Sequence, residues 1–282
     1  MFILRTPAEM RAWSRSQRFA GNTIGFVPTM GALHIGHAEL IRQSAMNNTQ
    51  TVVSIFVNPT QFNVQTDFDK YPRTFEADVA IAQEAGATAI YAPTSESIYP
   101  TGYRTFIEPG VASDPMEGEG RPGHFRGVAT IVVKLLNAVH PNNAYFGRKD
   151  FQQLAVVNET VKALDMDVVI VGVPTVRETD GLALSSRNVR LTPESRAQAP
   201  VIYRALMAAR DAYQNGERSR ERLEQLARNT LSTSPSCRVE YVTECDATTL
   251  ESKERASDDS VMCVACWFDD VRLIDNIALS SH

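Results

Sequence analysis

The chain has 282 residues, 43% hydrophobic and 22% charged, with a formal net charge of −5. These proportions exclude a disordered chain, and the length suggests two domains or one large domain with an appendage. The acidic balance argues against a nucleic-acid partner, which calls for a basic field, and the most apolar helical stretch, 128–139, is interrupted by Lys134 and too short to cross a bilayer.

The opening run Met1-Phe2-Ile3-Leu4-Arg5 is too short for a leader, and all four cysteines lie beyond residue 236. Both features suit a reducing compartment, so a cytoplasmic location is expected. Near-continuous apolar runs at 23–27, 51–57 and 87–91 predict buried strands, and helical composition fills 38–47 and 75–85 between them. A helix over 128–139, a short strand at 144–146, a helix over 151–164 and a strand at 167–173 follow. That alternation predicts βαβ crossovers on a parallel sheet. After Pro174 the pattern changes. Thr192-Pro193-Glu194 is a helix start with Thr as N-cap, helices are predicted at 193–214 and 217–231, and short strands at 239–243, 261–268 and 271–274. The expected fold is an α/β, Rossmann-like parallel sheet with helices on both faces over residues 1–175, with a smaller α+β domain over 176–282. Ligands of such sheets sit beyond the carboxyl ends of strands where the strand order reverses, which directs attention to the loops after Val27, Val57 and Phe146.

The first of these loops reads Pro28-Thr29-Met30-Gly31-Ala32-Leu33-His34-Ile35-Gly36-His37 and opens a helix. A helix N-terminus offers backbone N–H groups and a partial positive charge to phosphate, and Gly31 and Gly36 let the backbone approach a nucleotide. His34 and His37, three residues apart, share one helical face, so two imidazoles can donate to phosphate oxygens as charge builds there. The bland alternative is one buried and one surface histidine.

This turn is similar to the H-x-G-H motif of the nucleotidyltransferase superfamily. The ordered series Pro28 to His34, Phe56-Val-Asn-Pro-Thr-Gln-Phe62, Tyr71-Pro-Arg-Thr74, Gly147-Arg-Lys-Asp150 with Gln152-Gln153, and Pro174-Thr-Val-Arg-Glu178 through Gly181-Leu-Ala-Leu-Ser-Ser-Arg-Asn188 resembles the pantoate–β-alanine ligase family. Arg272-Leu-Ile-Asp-Asn276 extends the likeness weakly toward the end. Arg148 stands where that family usually has glutamate, and Ile35 where it often has an acidic residue.

The resemblance implies an ATP-dependent ligase that joins (R)-pantoate to β-alanine through pantoyl adenylate, releasing pyrophosphate and then AMP. It implies Mg²⁺ with ATP as co-substrate, no tightly bound organic cofactor, a homodimer, and a lid role for the smaller domain. It carries catalytic roles to His34, His37, Lys149 and Arg187. ATP contacts map to Met30, Gly31, Ala32, Leu33, His34, Ile35, Gly36, His37, Gly147, Arg148, Lys149, Asp150, Val176, Leu184, Ser185, Ser186 and Arg187. Pantoate maps to Gln61 and Gln153, β-alanine to Gln61, and a Mg²⁺ ligand to Asp78, beside Ala77 where the family often has an acidic pair.

Several residues keep two readings. Asp150 either meets the nucleotide or caps the following helix with Gln153, and Ser185-Ser186 is either a phosphate-closing element or an ordinary turn. Arg121 and His124 either line the substrate mouth or form a solvated turn; Tyr71 and Arg73 either act or pack. Cys263-Val-Ala-Cys266 suggests metal or redox chemistry, but it lies in a predicted strand, where residues three apart face opposite sides. Rivals are another adenylate- or cytidylate-forming enzyme of the superfamily acting on a different acid and, from another class, a nucleotide-binding regulatory protein that has lost catalysis.

Overall fold

The computed structural model describes residues 1–280 and separates into two compact bodies, one of Met1–Arg148 with Val156–Pro174, the other of Lys149–Ala155 with the chain from Thr175 onward.

In the first body β1 (Phe2–Leu4), β2 (Ile24–Thr29), β3 (Gln50–Ile55), β4 (Ala89–Tyr91), β5 (Asn143–Gly147) and β6 (Val169–Val173) form one parallel sheet in the order β1-β4-β3-β2-β5-β6. Central strands of such a sheet are covered on both faces, which explains why β2 and β3 read as near-continuous apolar runs. α1 (Pro7–Phe19) and α7 (His124–Val139) pack together and against β2, while α2 (Ile35–Asn47) and α4 (Phe75–Glu84) pack together and against β3. Short helices α3 (Gln65–Asp69), α5 (Ser95–Ile98) and α6 (Glu117–Gly120) lie in the connections, and α8 (Phe151–Ala163) leads into β6.

The strand order reverses at β2, whose other neighbour is β5. Only Gly25↔Asn143 and Phe26↔Ala144 pair there, so the two strands part toward their carboxyl ends and leave a crevice at the topological switch. Gly25 belongs to this seam because a Cβ there would fall 2.2 Å from Ser44 Oγ. The space it leaves is used by Asn48, whose Nδ2 donates to Tyr145 Oη at 2.9 Å and whose Oδ1 accepts from Asn143 Nδ2 at 2.8 Å.

The second body packs α9 (Pro193–Gln198), α10 (Val201–Gln214) and α11 (Arg220–Leu231) with the antiparallel sheet β7 (Cys237–Asp246), β8 (Ser260–Phe268) and β9 (Val271–Ala278). Its core joins Ile202, Leu206, Leu223 and Leu231 to Met262, Val264 and Phe268.

Several elements differ from expectation. The predicted helix 193–214 is two helices, because Pro200 has no N–H to continue the first ladder and instead precedes α10 as its N-cap. β7 is longer than expected and carries a bulge between Val239 and Tyr241. β1 and α1 have no counterpart among the predicted elements, although Thr6-Pro7-Ala8-Glu9 is a helix start: Thr6 accepts the N–H of Glu9, and Glu9 accepts the N–H of Thr6.

Candidate active site

The turn after β2 is built by self-capping. Gly31 and Ala32 both have left-handed φ, +84° and +52°, and reverse the chain into α2. His34 is the N-cap of α2: its Nδ1 accepts the N–H of Gly36 at 3.1 Å, while His37 Nδ1 accepts the N–H of His34 at 3.3 Å. A backbone N–H can only donate, so each Nδ1 carries a lone pair and each neutral ring holds its proton on Nε2. The rings lie 4.2 Å apart, centroid to centroid, and are half-buried.

Three further donors of the turn are engaged within the protein. Gly31 N–H meets Thr29 Oγ1 at 3.1 Å, and Ala32 and Leu33 N–H meet the two oxygens of Asp78 at 3.0 and 2.7 Å. Those three groups hold the turn together, and the side chains of His34 and His37 present its polar edge. Ile35 is 58% exposed, which fits a variable position.

Beyond β3, Asn58 orients Gln61. Asn58 Nδ2 donates to the carbonyl of Gly127 at 3.1 Å and to Gln61 Oε1 at 3.0 Å. Because the Gly127 carbonyl only accepts, this pattern also fixes the Gln61 amide, with Nε2 its outward donor, 3.3 Å from Met30 Sδ. Asn58 Oδ1 accepts from Tyr99 Oη at 2.8 Å and from Thr60 Oγ1 at 3.0 Å. Burial pushes the Tyr99 hydroxyl up to about 12, against the opposing effect of the neighbouring Thr60 hydroxyl, so it remains protonated. His124 Nδ1 donates to the Gln61 carbonyl at 2.8 Å, and His124 Nε2 lies 3.3 Å from Arg121 Nη1. Gly127 permits all of this, since a Cβ there would lie 2.4 Å from the Thr60 carbonyl oxygen. Tyr99 and Gly127 escaped the sequence reading; the Gly120-Arg-Pro-Gly-His124 stretch was the available signal for His124.

In the second body Lys149, Ser185, Arg187, Arg272 and Asp275 line one small cavity of about 10 Å³. Residues 176–184 form a hairpin, with Leu184 N–H donating to the Val176 carbonyl at 3.0 Å. Its turn needs Gly181 twice, for φ of +92° and because a Cβ would fall 2.1 Å from the Tyr203 ring. Arg177 of this hairpin reaches Asp275 through two bonds of 2.6 and 2.9 Å while stacking 4.4 Å from the Tyr203 centroid. Burial pushes the Asp275 carboxyl up, and Arg177 opposes that shift. The next residue, Asn276, donates to the Lys149 carbonyl at 2.9 Å. Lys149 Nζ lies 3.4 Å from Asp150 Oδ1. Ser185 Oγ accepts the N–H of Arg187 at 3.2 Å, so Ser185-Ser186 is indeed a turn, and it delivers Ser185 and Arg187 to the cavity wall. Gln153 lies half-buried on the first turn of α8.

Other residues singled out in the sequence have partners of their own. Arg148 follows Gly147 at the end of β5 and donates from Nε to the Gly172 carbonyl of β6 at 3.1 Å. Arg73 donates to the carbonyls of Phe68, Asp69 and Tyr71, and Tyr71 packs edge-on against Phe62. Cys263 and Cys266 lie inside β8, opposite Asn276 and Leu273 of β9, with Cys266 in the core. Asp78, to which the resemblance carries a Mg²⁺ ligand, already has protein partners. Its carboxylate is 1% exposed and accepts from Ala32, Leu33 and Thr74, and among the described residues no group of three or more His, Cys, Asp or Glu is placed to hold a metal. Those residues do not fit a resident cation.

A family model described as pantoate-beta-alanine ligase matches residues 2–278. Among similar curated proteins, the pantothenate synthetase of Geobacter sulfurreducens is 46% identical over the whole of both chains, and that of Chloroflexus aggregans is 48% identical over 98% of this chain and 99% of its own. Pantothenate synthetase from Thermus thermophilus superposes with a TM-score of 0.92 at 44% identity, covering 99% of this chain and all of the other. A pantoate-beta-alanine ligase from Francisella tularensis, complexed with beta-gamma ATP and beta-alanine, gives 0.81 at 34% identity over 99% and 98% of the two chains.

Proposed function

The chain belongs to the pantoate-beta-alanine ligase family, and from that premise we propose how its residues divide the ATP-dependent condensation of (R)-pantoate with β-alanine. In the first step a pantoate carboxylate oxygen bonds to the α-phosphorus as the bond to the departing pyrophosphate breaks. In the second the β-alanine amine attacks the acyl carbon, the bond to AMP breaks, and the nitrogen loses a proton. Neither step needs a covalent protein nucleophile, so the protein contributes positioning and charge stabilisation.

His34 and His37 donate from Nε2 to the α-phosphate oxygens as negative charge grows there; their shared self-capping is the observation that carries this assignment. Gln61 donates from Nε2 to pantoate, with Gln153 as a second contact, and Gln61 later orients β-alanine. Lys149 and Arg187, with Ser185 and Ser186, neutralise the β- and γ-phosphates, Arg187 through paired donors. The backbone of 30–37, Gly147–Asp150, Val176 and Leu184 frames the nucleotide. Mg²⁺ enters with ATP as part of that substrate. Residues 1–175 serve nucleotide and pantoate, and residues 176–282 act as a lid. No helix among the described residues is long and apolar enough to cross a membrane, and the four free cysteines support a cytoplasmic enzyme, which we place in a homodimer as is usual for the family.

The test is ATP–pyrophosphate exchange by the purified protein across a panel of small hydroxy acids, followed by product analysis on adding β-alanine. Exchange dependent on pantoate, then pantothenate and AMP in equal amounts, is expected. Exchange supported better by another acid, or ATP binding with no exchange, contradicts the reading.

A further inference from the structure

Asp78 lies buried against the nucleotide turn, and the geometry points to a task for it: we infer that Asp78 is a positioning residue, an internal anion that holds the 31–33 turn in the shape that presents His34 and His37 to ATP. The inference rests on the proposed role of that turn. Two consecutive left-handed residues, Gly31 and Ala32, turn the N–H groups of Ala32 and Leu33 toward one point, and the Asp78 carboxylate occupies it at 3.0 and 2.7 Å. Concave backbone of this kind is where proteins bind anions. The fit is close: a Cβ on Gly31 would fall 2.9 Å from Asp78 Oδ2, so the residue that allows the turn also admits the carboxylate. Thr74, immediately before α4, donates to Oδ1 at 3.1 Å and fixes the side chain. A left-handed alanine is disfavoured on its own, so the turn depends on a partner for its two donors.

The chemistry distinguishes carboxylate from amide. Asparagine at this position can accept one N–H through Oδ1, but its own N–H group then faces the second donor, and one of the two anchors fails. Asp78→Asn should weaken binding of a non-hydrolysable ATP analogue in direct titration by tenfold or more. It should raise KM for ATP by a similar factor and leave KM for pantoate and β-alanine within twofold. The Mg²⁺ concentration giving half-maximal activity should stay that of the wild type. A general loss of folding would move all three KM values together. Unchanged ATP terms overturn the inference; so does recovery of Asp78→Asn at high Mg²⁺, which would make Asp78 a metal ligand. Should Asp78→Asn fail to fold, Thr74→Val removes only the supporting hydroxyl and should raise KM for ATP about threefold; an unchanged value overturns the inference equally. Direct ATP titration needs no turnover, so failure here is separable from a wild-type protein that does not use pantoate.

Discussion

Nδ1 of His37 accepts the backbone N–H of His34 at 3.3 Å, and His34 in turn accepts the N–H of Gly36 on its own Nδ1 at 3.1 Å. Two side chains that would act on phosphate are thereby also the caps of the helix that carries them, and ring orientation and proton position are settled together. Nitrogen-15 NMR of the histidine side chains at mildly alkaline pH should show both residues as the Nε2–H tautomer. An Nδ1–H signal from either ring would break the capping scheme.

Gln61 depends on a chain of donors rather than on its own contacts. Tyr99→Phe removes the 2.8 Å bond to Asn58 Oδ1, worth about 1 kcal/mol, so KM for pantoate should rise about fivefold with little change for ATP. Gly127→Ala should act in the same direction and more strongly, because the new methyl group meets the Thr60 carbonyl. Kinetics in which pantoate and ATP constants move equally would contradict this division.

Arg177 and Asp275 form a largely buried ion pair, with side chains 18% and 3% exposed. Asp275→Ala leaves the guanidinium without its counter-charge and should cost about 3–5 kcal/mol in urea unfolding. A loss below about 1 kcal/mol would show that solvent or a neighbour compensates. Asn276→Ala should instead leave stability nearly intact and raise KM for ATP, since it releases the carbonyl of Lys149.

Glu240 accepts from Arg272 Nε at 2.9 Å and Nη2 at 2.8 Å. The hydrogen bonds from Arg272 hold its carboxyl below the ordinary 4.5, against burial, with help from Trp267. A lowered folded-state value means that the stabilisation is complete above 4.5 and is lost as pH falls through the lowered value. The difference in unfolding free energy between wild type and Glu240→Gln should therefore hold steady, at about 1 kcal/mol, from pH 7 to about 5 and shrink below 4.5. A gap that stays constant or widens in acid would contradict the assignment.

The alternation of apolar runs and helical stretches made the parallel sheet legible, because strands covered on both faces leave a continuous signal in β2 and β3. The small sheet was legible for the same reason in β8. The break at Pro200 is a local signal that helical composition on both sides masks. At the candidate site, His34, His37 and Gln61 stand in dense motifs, and the sequence points to them directly. Asp78 is different: it lies 45 residues from Leu33, and only the packing of α4 beside β3 reveals that its carboxylate closes the turn. Tyr99 and Gly127 act through Asn58 and the 59–61 turn, and no spacing along the chain encodes such a relay.

The measurement that bears most directly on the two-imidazole mechanism is pantoate-dependent ATP–pyrophosphate exchange by His37→Asn beside the wild type. Asparagine Oδ1 can take the place of Nδ1 and accept the His34 N–H, but nothing replaces the donor at Nε2. Exchange should fall by about 10²–10³ while the urea midpoint stays near that of the wild type. Exchange within threefold of wild type would remove His37 from the chemistry.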